Sequence, residues 1–199
     1  MSVLKRIARR IFRVHSYQFF KAAVNSAQQS ELGRQEKCVV IDAINIGEHK
    51  EVVAGLKTLA ADAADYLDDV RAGRIVALVI LHRGEVVHYS YVFLRNKSAC
   101  ILGLNGDTAL VGNDFTVPSY RGKGCQSRSV ALRAAIARER GFAFIAAETS
   151  PDNLASQHGL QNGGMESAGR LDLVVILNCL VIRWRRPQGI ALIGLCLRA

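Results

Sequence analysis

The sequence predicts an α/β fold, an α+β mixed sheet with helices on both faces. Three observations lead there. β-branched apolar runs broken by turn residues fill the first half and predict an antiparallel meander. Helical and strand patterns alternate after residue 118, as in a βαβ-type C-terminal half. The chain has 199 residues, 50% of them hydrophobic, enough for one domain with a full core.

Residues 3–14 open the chain with an amphipathic pattern. Val3, Leu4, Ile7, Ala8, Ile11, Phe12 and Val14 fall on one side at helical spacing, and Lys5, Arg6, Arg9, Arg10 and Arg13 on the other. A basic amphipathic helix over residues 1–30 is therefore expected ahead of a single domain over 31–199. Its use stays open between packing on its own domain or a partner chain, lying on an anionic membrane surface, and serving as a cleaved targeting segment.

"CVVIDAI" then reads as a short strand, and "EVVAGLKTLAADAADYLDDVRAG" as one or two helices ending at Gly73. "RIVALVILHRGEVVHYSYVFLR" reads as a hairpin turning at Arg83-Gly84-Glu85. "ACILGL" and "TALVGNDFTV" read as a second hairpin, turning at Asn105-Gly106, which makes four strands in a meander. "SVALRAAIARERG" predicts a helix over about 124–140, "FAFIAAE" a buried strand and "PDNLASQHGLQNGG" a helix. "RLDLVVILNCLVIRW" reads as one long strand, and "GIALIGLCL" as a last one.

Charge and cysteines bound the partners. The formal net charge is +9, of which residues 1–20 carry +5 and residues 171–199 carry +3, so the middle is nearly neutral. A nucleic-acid reader would spread such charge over one face, and no nucleic-acid partner is expected. The five cysteines, Cys38, Cys100, Cys125, Cys179 and Cys196, show no CxxC spacing. They predict reduced thiols in a cytoplasmic protein, with neither a metal site nor a disulfide framework. No segment reaches the roughly 18 apolar residues of a spanning helix, so any membrane association would be peripheral, at the inner surface.

The stretch "FTVPSYRGKGCQS" sets a glycine-rich turn between strand and helix. Such a turn presents free N–H groups and the positive end of a helix dipole to an anion. The Walker pattern is absent, and the dinucleotide pattern GxGxxG fails at Ser127. The stretch resembles the V-x-P-x-x-R-G-x-G-x-G/A motif of the GNAT superfamily of acyl-CoA N-acyltransferases. A second segment, "NLASQHGLQNGGM", is similar to that family's N-x-x-A/S segment, with Asn153 at the asparagine and Ser156 at the small residue. Together the resemblance covers about residues 75–177.

The resemblance implies a GNAT-like fold and direct transfer of an acyl group, from acetyl-CoA or another acyl-CoA, to an amine acceptor without a metal. It places Arg121, Gly122, Lys123, Gly124, Cys125 and Gln126 around the pyrophosphate and Phe115, Thr116 and Val117 along the pantetheine arm. Asn153 and Ser156 would border the same cleft. The acceptor is expected to be a small molecule, such as an amino sugar or a membrane-proximal amine; a homodimer stays open. Two readings rival it: a non-catalytic acyl-CoA-binding or scaffold protein, and, less favoured, a nucleic-acid-binding protein using the two basic ends. Three positions depart from the family: Gln126 stands for Gly or Ala, Leu160 for the tyrosine that often acts as general acid, and Met165 for phenylalanine.

Two carboxylates qualify for the catalytic work of taking a proton from the amine. Asp114 sits within an otherwise apolar strand, and Glu148 ends the strand across the expected cleft. Alternation sets Tyr89 and Tyr91 on one face of their strand and His88 on the other, where any of them could meet an acceptor. Cys125, opening a helix inside a basic turn, is expected to have an acidified thiol, and His158 to lie on the surface.

Overall fold

The computed structural model describes residues 11–26, 31–59 and 66–197. Its sheet has nine strands among these residues: β1 (Phe12–Ala23), β2 (Glu36–Ile41), β3 (Ile75–His82), β4 (Glu85–Phe93), β5 (Thr108–Thr116), β6 (Phe144–Thr149), β7 (Glu166–Ile176), β8 (Leu180–Arg185) and β9 (Ile193–Leu195). They lie in the order β2-β3-β4-β5-β6-β1-β7-β8-β9. Every neighbouring pair is antiparallel except β5 and β6, which run parallel. The five described helices are α1 (Lys50–Leu59), α2 (Leu67–Arg71), α3 (Lys97–Leu102), α4 (Cys125–Glu139) and α5 (Leu154–Asn162).

The sheet separates two cores. On one face Leu56 of α1, Leu67 and Val70 of α2 and Leu102 of α3 pack on Ala77, Val79, Tyr91 and Leu173. On the other, Val130, Ala134 and Ala137 of α4 and Leu160 of α5 pack on Val76, Leu78, Val111 and Ile145. Strands β3 and β4 are covered on both faces, which explains why they read as unbroken apolar runs. Their two-residue turn places Arg83 at φ 52° and Gly84 at φ 88°, the left-handed pair that suits the twist of a hairpin. Among the described residues no helix is long and apolar enough to cross a membrane.

Three expected elements differ. "ACILGL" belongs to a helix, not a strand: the Asn96 side chain accepts the Ala99 amide at 2.8 Å, and Gly103 closes α3 at φ 80°. Those caps outweigh the β-like composition of a short apolar run. Three of the four expected meander strands remain, as β3, β4 and β5, and β2, expected as a separate short strand, joins them at the edge of β3. The expected long strand is a hairpin, β7–β8, which turns at Leu177 (φ 47°) and Asn178 (φ 59°) without a glycine. The start of the chain differs most. The helix expected over 3–14 lies outside the described residues as far as residue 10, and residues 12–14 already belong to β1. That strand inserts between β6 and β7, pairing Phe19 with Glu148 and Tyr17 with Leu171.

The cysteines are corrected as well. Cys100 of α3 and Cys196, just beyond β9, form a disulfide across 96 positions, leaving Cys38, Cys125 and Cys179 free. Spacing along the chain carries no sign of a pair so far apart. Arg183 of β8 reinforces the same junction. Its buried guanidinium donates to Ile101 O at 2.9 Å, Cys100 O at 2.6 Å and Ala191 O at 3.0 Å. It thus gives carbonyls of the C-terminal turn of α3 a side-chain donor, Cys100 O accepting it beside the Gly103 amide. Gly194 lies so close that an added Cβ would come within 2.8 Å of the Arg183 Nη2.

Titration of the unfolded, unreduced protein with a thiol reagent should count three thiols, rising to five after reduction. The C100S/C196S double variant should lose about 2–4 kcal/mol of unfolding free energy, measured by denaturant titration. A count of five without reductant would refute the link.

Candidate functional site

The site begins where β5 and β6 part. Their parallel pairing lasts three positions, Thr108–Phe144 to Leu110–Ala146, and then stops. β5 leaves that line through a bulge: Tyr91 faces Gly112 and Tyr89 faces Phe115, so Asn113 and Asp114 together oppose Ser90. Asn113 takes φ 53° to make the extra residue fit, a conformation asparagine tolerates better than most. Between the two strands and the starts of α4 and α5 opens a cleft of about 680 Å³.

Thirteen sequence-predicted site residues converge on or near it. Eleven line the cleft: Asp114, Phe115, Thr116, Arg121, Gly122, Gly124, Cys125, Gln126, Glu148, Asn153 and Ser156. Val117 does not; it packs against the α4-side core. Nor does Lys123, whose ammonium lies 4.0 Å from the centre of the Tyr120 ring.

The glycine turn has the geometry its composition foretold. Gly122 and Gly124 sit at φ 75° and 74°, where a side chain would be strained. The Arg121 amide donates to Pro118 O and the Arg128 amide to Gly124 O, but no backbone acceptor among the described residues takes the amides from Gly122 to Ser127, and the Cys125 amide lies against its own thiol. The last three of them, Cys125 to Ser127, form the first turn of α4, at the positive end of its dipole. The turn is braced from behind by Arg128, which donates to Lys123 O at 2.6 Å and to both carboxylate oxygens of Glu36 at 2.8 and 2.9 Å. Arg121 is exposed and donates to Thr116 O at 3.3 Å.

Gln126 does not plug the turn. Its Nε2 donates to Ser156 Oγ at 3.1 Å, and its side chain lies over Gly159, where an added Cβ would meet Oε1 at 2.2 Å. Gly163 allows the same closeness one turn on, with Val130 Cβ 2.6 Å from where a Cβ would be. Asn153 caps α5 by accepting the Ser156 amide at 3.1 Å. Leu160 is fully buried, so no hydroxyl is offered from that position.

The two carboxylates part company. Asp114 is occupied by Arg133, whose fully buried guanidinium lies 2.9 Å from Oδ1 and 3.3 Å from Oδ2. Beside them His88 shares its Nδ1 with Thr116 Oγ1 at 2.8 Å and sets Nε2 3.8 Å from Asp114. Burial pushes the His88 pKa down to about 4, more than Asp114 raises it, so the ring is neutral at physiological pH. The Glu148 carboxylate, by contrast, has no hydrogen bond or ion pair among the described residues, and burial raises its pKa. Phe115 and Tyr89 stack 5.4 Å apart on the sheet face opposite the Asp114–Arg133 pair.

Other expectations change. Cys125 is buried, and desolvation raises its thiol pKa despite Arg128 nearby, so the thiol is not acidified. His88, Tyr89 and Tyr91 alternate as expected but are all buried, too deep for an acceptor to touch. His158 is exposed, as expected, at the rim of the cleft. Sequence reasoning missed Arg133, Arg128 and Glu36. A faint signal existed for the first, an arginine on the apolar stripe of a helix that otherwise carries Val130, Ala134 and Ala137.

No known family's sequence profile matches the chain, and no curated protein matches it. Solved structures do. A Drosophila protein superposes with a TM-score of 0.58 at 13% identity, covering 88% of this chain and 57% of its own. A GNAT-family acetyltransferase from Colwellia psychrerythraea gives 0.56 at 15% identity, covering 81% and 55%. The chain thus spans a little over half the length of these two proteins. An aminoglycoside N-acetyltransferase bound to a bisubstrate analogue of coenzyme A gives 0.51 at 18% identity, covering 67% and 92%. With its mixed sheet, parted parallel strands and glycine turn at a helix start, this chain has the fold of the GNAT acyl-CoA N-acyltransferases.

Proposed function

We propose that the protein is an acyl-CoA-dependent N-acyltransferase that moves an acyl group, most simply acetyl, to the amine of a small acceptor. One observation carries this: the amides from Gly122 to Ser127 have no backbone acceptor among the described residues, in a turn whose Gly122 and Gly124–Ser127 line a cleft of about 680 Å³. They suit the diphosphate of coenzyme A, with the exposed Arg121 guanidinium adding charge. The parted edges of β5 and β6, from Phe115 and Thr116 across to Glu148, suit the extended arm beyond it. When bound, the thioester would supply the activated acyl group.

The chain's own residues divide the remaining work. Glu148 takes the proton of the attacking amine, because it alone of the two carboxylates reaches the cleft without a cation holding it. Its raised pKa also makes it a stronger base than an ordinary glutamate. Asp114 positions rather than reacts: it neutralises Arg133 and fixes the bulge that opens the cleft. With Leu160 in the core, protonation of the departing sulfur falls to another group or to water. An amino sugar is an apt acceptor, supported by the aminoglycoside-acetylating neighbour.

Acetyl-CoA should raise the melting temperature of the protein, while S-acetylpantetheine, which lacks the diphosphate, should not. The Gly122→Val variant, strained at φ 75°, should lose the shift. No stabilisation by acetyl-CoA would sink the assignment.

Glu148→Gln should lower kcat/KM by about 10²–10⁴. In the parent the acid limb of the pH profile should lie above the ordinary glutamate value of 4.5. Linkage sets the sign for stability. A carboxylate whose folded pKa is raised favours folding most below its unfolded pKa and loses that contribution as pH rises through the folded pKa. The glutamine variant should therefore melt higher than the parent at pH 7, with the gain vanishing in acid. Asp114→Asn should do the reverse, losing about 3–5 kcal/mol by stranding a buried guanidinium. Equal stability losses in both variants would remove the distinction drawn between the two carboxylates.

A further inference from the structure

Helices α4 and α5 cover their side of the sheet through β6, the second half of β1, where Phe20 and Ala22 join the core, and part of β7. Over the first half of β1, from Phe12 to Val14, the second half of β7, and β8 and β9, the same face has no described helix packed closely upon it. The register lays apolar side chains across it in two rows. Phe12 pairs with Ile176, Ile176 with Leu180, and Leu180 with Leu195. Val14 pairs with Val174, Val174 with Ile182, and Ile182 with Ile193. Directly paired residues share a face, so each row is a continuous apolar strip four strands wide. Its ends lie open: Val14 is 68% exposed, Ile193 59% and Leu195 63%. Their partners on the reverse face, Val175 and Val181, are buried, so the pattern is a one-sided sheet with its apolar side turned outward. A contiguous apolar surface of this breadth marks a docking site.

Charge selects what docks there. The two basic ends of the sequence, +5 over residues 1–20 and +3 over 171–199, are distant along the chain. Insertion of β1 beside β7 brings the end of the first against the start of the second. Arg13, Arg185 and Arg186 are exposed around the strips, as is Trp184 at 52%. Asp172, the acid within this face among the described residues, is already held by Arg170 at 2.8 Å with Arg185 at 3.7 Å, so it leaves the cationic surplus intact. A second copy of the chain would set +9 against +9. An apolar surface with a basic rim and an exposed tryptophan matches the headgroup boundary of an anionic membrane.

We propose that the uncovered face of β1, β7, β8 and β9 docks on an anionic lipid bilayer, making the protein a peripheral membrane protein through its sheet. The docking is independent of whether the cleft binds coenzyme A. An acceptor carried on the membrane would then reach the cleft without leaving the surface.

The test is co-sedimentation of the full chain with vesicles of phosphatidylcholine alone or mixed equally with phosphatidylserine. Binding should require phosphatidylserine and weaken with salt. It should drop roughly tenfold or more in the Ile193→Asp/Leu195→Asp variant, since removing two exposed apolar anchors and adding two anionic charges both oppose insertion. Val14→Asp, on the far strand of the same strip, should act likewise and covers the case in which the first variant does not fold; far-UV circular dichroism confirms folding of each. The thermal shift with acetyl-CoA should persist in both. Undiminished binding by a folded variant overturns the proposal, as does equal binding to neutral vesicles. So does a concentration-dependent dimer that the same substitutions abolish without any vesicle binding by the parent.

Discussion

The separation of β5 from β6 is the constraint from which the site follows. Two parallel strands joined over three residue pairs would ordinarily continue side by side, because each backbone group left unpaired inside a protein costs free energy. Here β5 breaks away through an extra residue, and the bulge survives because the surrounding chain holds it. Asp114, the second residue of the bulge, is tied to α4 by Arg133, and Thr116, two residues further, is tied to β4 through His88. A cleft opened by strained backbone thus has its walls fastened to a helix and a neighbouring strand.

That fastening uses buried charge. The guanidinium of Arg133 is wholly out of water and depends on Asp114 and on Ser129, whose carbonyl and hydroxyl it also contacts. Desolvated pairs of this kind contribute little net stability, yet removing one partner strands the other. Specificity of geometry is what such a pair supplies: it holds the bulge against α4 in one register. His88 stays neutral within the cluster, so the pair keeps its charge balance.

The second support is the contact between α4 and α5. Gly159 and Gly163, four residues apart, remove the side chains that would keep the helices separate. Gln126 and Val130 fill the gap. Gln126 stands where the resembled motif has Gly or Ala, and its carboxamide is spent on Ser156. The glycine turn in front of it therefore keeps its amides open. Residue choice on α5 thus makes tolerable a residue choice on α4.

Much was readable along the chain wherever the cause is local. Gly122 and Gly124 announce a turn because φ near 75° admits little else, and the helix after it follows from propensity and from Gly141. The apolar runs at 75–93 announce strands covered on both faces. The candidate carboxylates were nameable because ionisable residues stand out in apolar strands. α3 was misread although its caps, Asn96 and Gly103, were in view, since the four apolar residues Ala99–Leu102 satisfy either geometry.

Long-range pairing lay beyond the sequence. Nothing local to residues 12–23 says that they lie between β6 and β7, and nothing near Cys100 points to Cys196. Which carboxylate is held and which stays open was decided when α4 brought Arg133 to Asp114 and left Glu148 without a cation. Residue type and spacing determined the turn, the helix after it and the list of chemically able groups, because those depend on neighbours a few bonds away. Tertiary structure alone decided the partners of those groups, because charge pairing and desolvation depend on what the fold brings within a few ångströms.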